Sequence, residues 1–102
     1  MDREALIADI RYRADEVLPA LSANTSMPVC RNHCFLRIAY DNAVGQQWNH
    51  VVPSPFLQNA TLQQLKDAQQ ILHHLSSEPK STYSLNDFSL YYRGKGAHPK
   101  EG

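Results

Sequence analysis

Between Thr61 and Pro79 the sequence is legible as one thing only, an amphipathic helix. Thr61-Leu62-Gln63-Gln64 has the form of a capping box, in which a hydroxyl and a glutamine amide satisfy the backbone N–H groups left without partners at a helix start. Leu62, Leu65, Ala68, Ile71, Leu72 and Leu75 then recur at helical spacing, and Ser76-Ser77-Glu78-Pro79 stops the run. A helix of about 61–77 with a single apolar stripe is stable only when that stripe is covered. The rest of the chain must supply the cover.

The 102 residues leave room for one domain. Upstream, Leu6, Ile10, Ala14, Val17 and Leu21 recur every three or four positions, widened by Ile7 and Leu18, with Asp2 placed as an N-cap. Pro19 is expected to end or kink this helix, giving a span of about 3–19. A second helix, about 30–50, carries Cys34, Phe35, Ile38, Ala39, Gly45, Trp48 and Val52 on one broad side, with Leu36, Tyr40, Ala43 and Val44 around the flank. Apolar over most of its circumference, it is expected to be central. Gly45 in its interior costs about 1 kcal/mol against alanine, so either another backbone approaches there or the helix breaks.

After Pro79 the pattern weakens. Phe88, Leu90 and Tyr92 alternate as in a strand, whereas Ser84 and Asp87 could cap a short helix; a short extended or irregular segment laid on the helices is the expectation. Arg93 to Gly102 has no apolar periodicity. The expected fold is all-α or nearly so, with three main helices in a domain of residues 1–92 and a flexible tail of 93–102.

Composition narrows the function classes. Ten Lys plus Arg balance ten Asp plus Glu, which argues against a nucleic-acid binder, since nonspecific affinity needs many cations to neutralise phosphates. The start, Met1-Asp2-Arg3-Glu4-Ala5, is charged and unlike a signal peptide, and no apolar run reaches membrane-spanning length. Cys30 and Cys34 lie four apart at a helix start, where a disulfide would be strained. Free thiols, and hence a cytoplasmic location, are expected.

Cys30, His33 and Cys34 have the ligand chemistry of a zinc site. Three ligands in one turn are crowded, however, and His50 or His73-His74 would have to add a fourth without the standard spacing. No metal and no cofactor are therefore expected. A Cys–His catalytic pair fares no better, because adjacent His33 and Cys34 point about 100° apart on a helix. Arg37, Asp41 and Asn42 are more informative, being polar residues embedded in an apolar helix. Arg37 and Asp41 are four apart and can pair along it, and if buried they form either an internal network or the floor of a binding pocket. Trp48, His50 and Phe56 could form an aromatic patch at the Pro53-Ser54-Pro55 elbow. Arg93-Gly94-Lys95-Gly96-Ala97 approaches the acetyl-CoA signature Q/R-x-x-G-x-G/A, but His98 occupies the last small position.

The run His33-Cys34-Phe35-Leu36-Arg37-Ile38-Ala39-Tyr40-Asp41-Asn42, with Gly45 and Trp48, resembles small helical bacterial and phage proteins sometimes labelled as acetyltransferases. The resemblance covers about a third of the chain and brings no activity and no catalytic residue with it. The sequence thus points to a module that binds a protein partner, with Arg37, Tyr40, Asp41, Asn42, Trp48, His50 and Phe56 as candidate binding residues and self-association left open. The alternative is a small-molecule or metal-dependent enzyme using Arg37, Asp41, His50 and the Cys30-His33-Cys34 cluster.

Overall fold

A computed structural model describes residues 2–99, so Met1 and the last three positions of the expected tail, Lys100, Glu101 and Gly102, lie outside the described residues. Helix α1 (Arg3–Tyr12) starts where the sequence places it, with the Asp2 carboxylate accepting the Ala5 N–H at 2.8 Å. It does not end at Pro19. A π-helical turn (Arg13–Val17) leads directly into α2 (Leu18–Ser22), and the Leu18 N–H reaches back five residues to the Arg13 carbonyl. Proline removes a donor and crowds the turn before it, and the wider π turn makes room for the ring and lets the helical path continue.

The second helix, α3 (Asn32–Val44), is shorter than expected. Gly45 takes φ +75° and donates its N–H to the Asp41 carbonyl at 2.8 Å, a left-handed helix stop. A side chain built at Gly45 would meet nothing within 4 Å, so no neighbouring backbone demands a glycine; the chain breaks there. Trp48–His50 form a separate 3-10 turn, and a short α4 (Phe56–Asn59) follows. Helix α5 (Leu62–Ser77) opens with both bonds of the capping box in place, Thr61 Oγ1 accepting from the Gln64 N–H and Gln64 Oε1 from the Thr61 N–H.

The segment expected to be extended or irregular is helix α6 (Ser81–Tyr92). Its inward face is Thr82 and Ser89, both fully buried, with Leu85 half-buried between them. That is helical spacing written largely in hydroxyl residues, which hydrophobic periodicity does not register. Gly94, at φ +72°, closes α6 with the paired bonds of a Schellman stop, Gly94 N–H to the Tyr91 carbonyl and Lys95 N–H to the Leu90 carbonyl. The described residues contain no strand, and the architecture is all-α with four substantial helical stretches where three were expected.

The core joins Leu6, Ile10, Ala14 and Leu18 to Phe35, Ile38 and Ala39 of α3 and to Leu65, Ala68, Leu72 and Leu75 of α5. A fully buried leucine such as Leu72 contributes roughly 1.5–3 kcal/mol through its removal from water. Helix α3 packs against α5, α6 and the π turn, and is central as its all-round apolar character implies. That position gives it two contrasting faces.

Candidate functional site

The first face is polar and closed. Asp41 is 0% exposed, which requires its charge to be matched by hydrogen bonds and a counter-ion. The Ser89 hydroxyl donates to Oδ2 at 2.6 Å, Arg93 donates from Nε to Oδ2 at 2.6 Å and from Nη2 to Oδ1 at 3.1 Å, and the Trp48 N–H donates to Oδ1 at 2.9 Å. The expected Arg37–Asp41 pair along the helix is not formed. Arg37 instead reaches α6, donating to Ser89 Oγ at 2.7 Å and Asn86 Oδ1 at 2.8 Å, so it touches Asp41 only through the serine. Asn42 spends its amide hydrogens on the carbonyls of Ile38 and Leu85, at 2.8 and 2.9 Å. A carboxylate offers about four lone-pair positions, and here protein donors fill them. Arg93, assigned to the tail from sequence, is therefore the counter-ion of the most deeply buried charge described.

The second face is aromatic and borders a cavity, with Tyr40 and Phe56 buried and Trp48 half-buried. Tyr40 and Phe56 stack at 3.8 Å between centroids, with Trp48 edge-on to each at 5.7 and 5.6 Å. The local chain explains the grouping. Leu36 and Tyr40, four apart, share one side of α3; the Gly45 stop turns the chain back; and Asp41 pins the Trp48 backbone. Pro55, with no N–H to lose, begins α4 and presents Phe56. Arg3 donates to the carbonyls of Leu57 and Gln58 at 3.0 and 2.9 Å, fixing α4 against the start of α1. The three rings, with Arg11, Leu36, Ser54, Pro55 and Leu57, line a cavity of about 210 Å³. Burial pushes the Tyr40 phenol up to about 12, opposed by the Arg11 charge and reinforced by that of Asp15, so the ring stays neutral at physiological pH.

The candidate residues thus separate into two groups. Tyr40, Trp48 and Phe56 come together at the elbow, while Arg37 and Asp41 belong to the closed network. Asn42 is tied to α6 and lines a different groove, and His50 stands exposed on the 3-10 turn, outside the cavity lining. Cys30 is exposed and Cys34 half-buried, both as free thiols. Among the described residues no three His, Cys, Asp or Glu side chains lie together as a metal-binding group. Gly94, from the near-match to the acetyl-CoA signature, serves the α6 stop.

Sequence reasoning missed Arg11, Leu36 and Leu57 of the cavity. Leu36 carried a usable signal, its four-residue spacing from Tyr40; Arg11 and Leu57 reach the elbow only through tertiary packing. Comparison with protein-family models, with curated proteins and with solved structures finds no match, and the functional reading rests on the chemistry of the site itself.

Proposed function

We propose that the chain is a protein-binding, regulatory module without catalysis of its own, whose elbow cavity receives one apolar side chain of a partner segment that carries an acidic residue beside it. The observation that carries this reading is the ring-lined cavity with the Arg11 cation among its lining residues. At about 210 Å³ it is below the roughly 300–1,000 Å³ of pockets that take small-molecule ligands or cofactors, and suits a single anchoring side chain. Stacked rings held from both sides lose little freedom on binding, which favours affinity from a small contact. Arg11 supplies the charge that a flanking Asp or Glu would complement. The enzyme alternative has less support: Asp41 is saturated by protein donors, His50 stands apart from it, and the thiols belong to neither group. Free thiols suit a reducing cytoplasm, where such a module would act by occupying its partner.

Trp48 is the chain's one tryptophan, so its emission reports the elbow directly. Blocked pentapeptides Asp-Asp-Xaa-Asp-Asp, with Xaa as Leu, Phe or Ala, are titrated against the chain. Saturable shifts with Leu or Phe, absent with Ala and weakened at least tenfold in Arg11→Glu, are expected, with melting within a few degrees of the parent because Arg11 is exposed. Equal responses to all three peptides, or binding indifferent to Arg11→Glu, would remove the proposal. Concentration-dependent dimerisation abolished by Arg11→Glu would make the elbow's occupant a second copy of the chain.

A further inference from the structure

A second concavity lies on the other side of α3, between α3, α5 and α6, with a volume of about 470 Å³. Its lining is Asn42 and Ala43 of α3, Asp67, Gln70, Ile71 and His74 of α5, and Leu85 of α6. At about 100° per residue, Asn42 points some 200° away from Tyr40, so this groove and the elbow are separate. Asp67, Gln70, Ile71 and His74 follow at i, i+3, i+4 and i+7 and share one face of α5.

Ala43, Ile71 and Leu85 give the groove an apolar floor, and its polar lining is Asn42, Asp67, Gln70 and His74, with no Lys or Arg among them. Asn42 has committed both amide hydrogens to backbone carbonyls, which leaves its own carbonyl oxygen as the group it can offer a ligand. Asp67 is half-buried and accepts one hydrogen bond, from the neutral Gln63 amide at 2.9 Å. The two ion pairs among the described residues, Asp9–Arg13 and Asp41–Arg93, leave Asp67 without a cation. Asp67 is the one carboxylate of the lining, and no Lys or Arg stands beside it there, so the fixed charge that the groove presents is negative.

We infer that this groove binds a small organic ammonium ion with an apolar body, its charged nitrogen directed to Asp67 and the Asn42 carbonyl and its body laid on Ala43, Ile71 and Leu85. The volume falls within the range of small-ligand sites. A carboxylate ligand would meet the like charge of Asp67, and a neutral ligand would leave that charge without a counter-ion.

Three probes with the same ring test this: phenethylammonium, 2-phenylethanol and 3-phenylpropionate, each titrated into the isotope-labelled chain and followed by amide NMR. Saturable shifts at Ala43, Asp67, Ile71, His74 and Leu85 are expected with the ammonium, with the alcohol and the carboxylate binding at least tenfold more weakly. Asp67→Asn keeps the shape and should reduce ammonium binding to the level of the alcohol. Gln70→Lys, an exposed change that places a tethered ammonium three residues from Asp67, should block the site and covers the case in which Asp67→Asn folds poorly. Equal binding of all three probes, shifts confined to Trp48 and Phe56, or undiminished binding in a folded Asp67→Asn or Gln70→Lys would overturn the inference.

Discussion

Tyr40 and Asp41 are neighbours in sequence, and their surroundings have opposite characters. Around Asp41 the protein supplies a cation, a hydroxyl and a backbone N–H until nothing is left to satisfy. Around Tyr40 the rings pack directly on one another, with Tyr40 and Phe56 buried, and a cavity remains beside them. The charge most conspicuous in the sequence is consumed internally, whereas the proposed partner site is a matter of shape. The two regions are also joined, because the carboxylate that anchors α6 holds the backbone of Trp48. A closed polar network on one face thereby stiffens the aromatic one on the other.

The strongest way to break this contrast is to remove Asp41. Asp41→Ala leaves the partly buried Arg93 and the Ser89 hydroxyl hydrogen without their acceptor, and breaking such a pair costs about 3–5 kcal/mol, a large share of the stability of a domain this size. Arg93→Ala should cost at least as much, since the group it strands is 0% exposed. Arg37→Ala removes a half-buried donor whose partners are neutral, and about 1.5 kcal/mol is expected. Melts followed by circular dichroism should therefore rank Arg37→Ala well above the other two. An Arg37→Ala protein that melts as low as Asp41→Ala would mean that Arg37, and not Arg93, is the partner that matters.

The next test addresses the aromatic face. Burial places the Tyr40 phenol at about 12 in the folded chain against 10.0 for the free group. A group raised in this way contributes stability that is fully present below the unfolded value and is lost as pH rises towards the folded one. Between pH 10 and 12 the parent should lose stability that Tyr40→Phe, which cannot ionise, does not lose at this position; the limit for such a shift is about 2–3 kcal/mol. Melting temperatures of the two proteins at pH 8, 10 and 11 give the slopes. Parallel slopes would show a Tyr40 hydroxyl in free exchange with water, and an elbow more open than its packing implies.

How far the sequence could be read follows the same division between what is local and what is not. Helix α5 was legible because its start is a local motif and its buried face is leucine and alanine; the Gly45 break was legible as one of two alternatives. Helix α6 was not, because Thr82 and Ser89 occupy positions where an apolar stripe would announce a helix; Ser89 finds its partners on α3, in Asp41 and Arg37, while the buried Thr82 hydroxyl has no hydrogen-bond partner among the described residues. The counter-ion of Asp41 was hidden for a related reason. Arg37, four residues away on the same helix, is within pairing reach, although in the weaker order with the acid C-terminal to the base, and nothing local points to Arg93, which is 52 residues distant. At the site, Tyr40, Trp48 and Phe56 were identifiable as an aromatic group near the Pro53-Ser54-Pro55 elbow, while Arg11 and Leu57 arrive through packing that no spacing encodes.

The smallest expected effect asks whether burial is what sets the Asp41 network apart, because Asp9 offers a comparable arrangement at the surface. Its Oδ2 accepts from Arg13 Nε and from Gln69 Nε2, each at 2.7 Å, with side chains 24% and 25% exposed in the Arg13–Asp9 pair. Burial alone would raise this carboxyl, but the bonds from Arg13 and Gln69, with the Arg13 charge, outweigh it and hold the group below its ordinary 3.8. A group lowered in this way contributes stability that is present above the unfolded value and is lost as pH falls through the folded one. Asp9→Asn keeps the shape and removes the charge, so it should cost less than about 1 kcal/mol at neutral pH, a few degrees in Tm, after allowance for solvent screening. The difference between parent and variant should shrink below about pH 4 and close as the wild-type carboxylate protonates. It should also shrink in high salt, where a partly exposed pair is screened. If Asp9→Asn instead lowered Tm as far as Asp41→Ala, number of donors and not depth would be the property that makes a carboxylate indispensable to this fold.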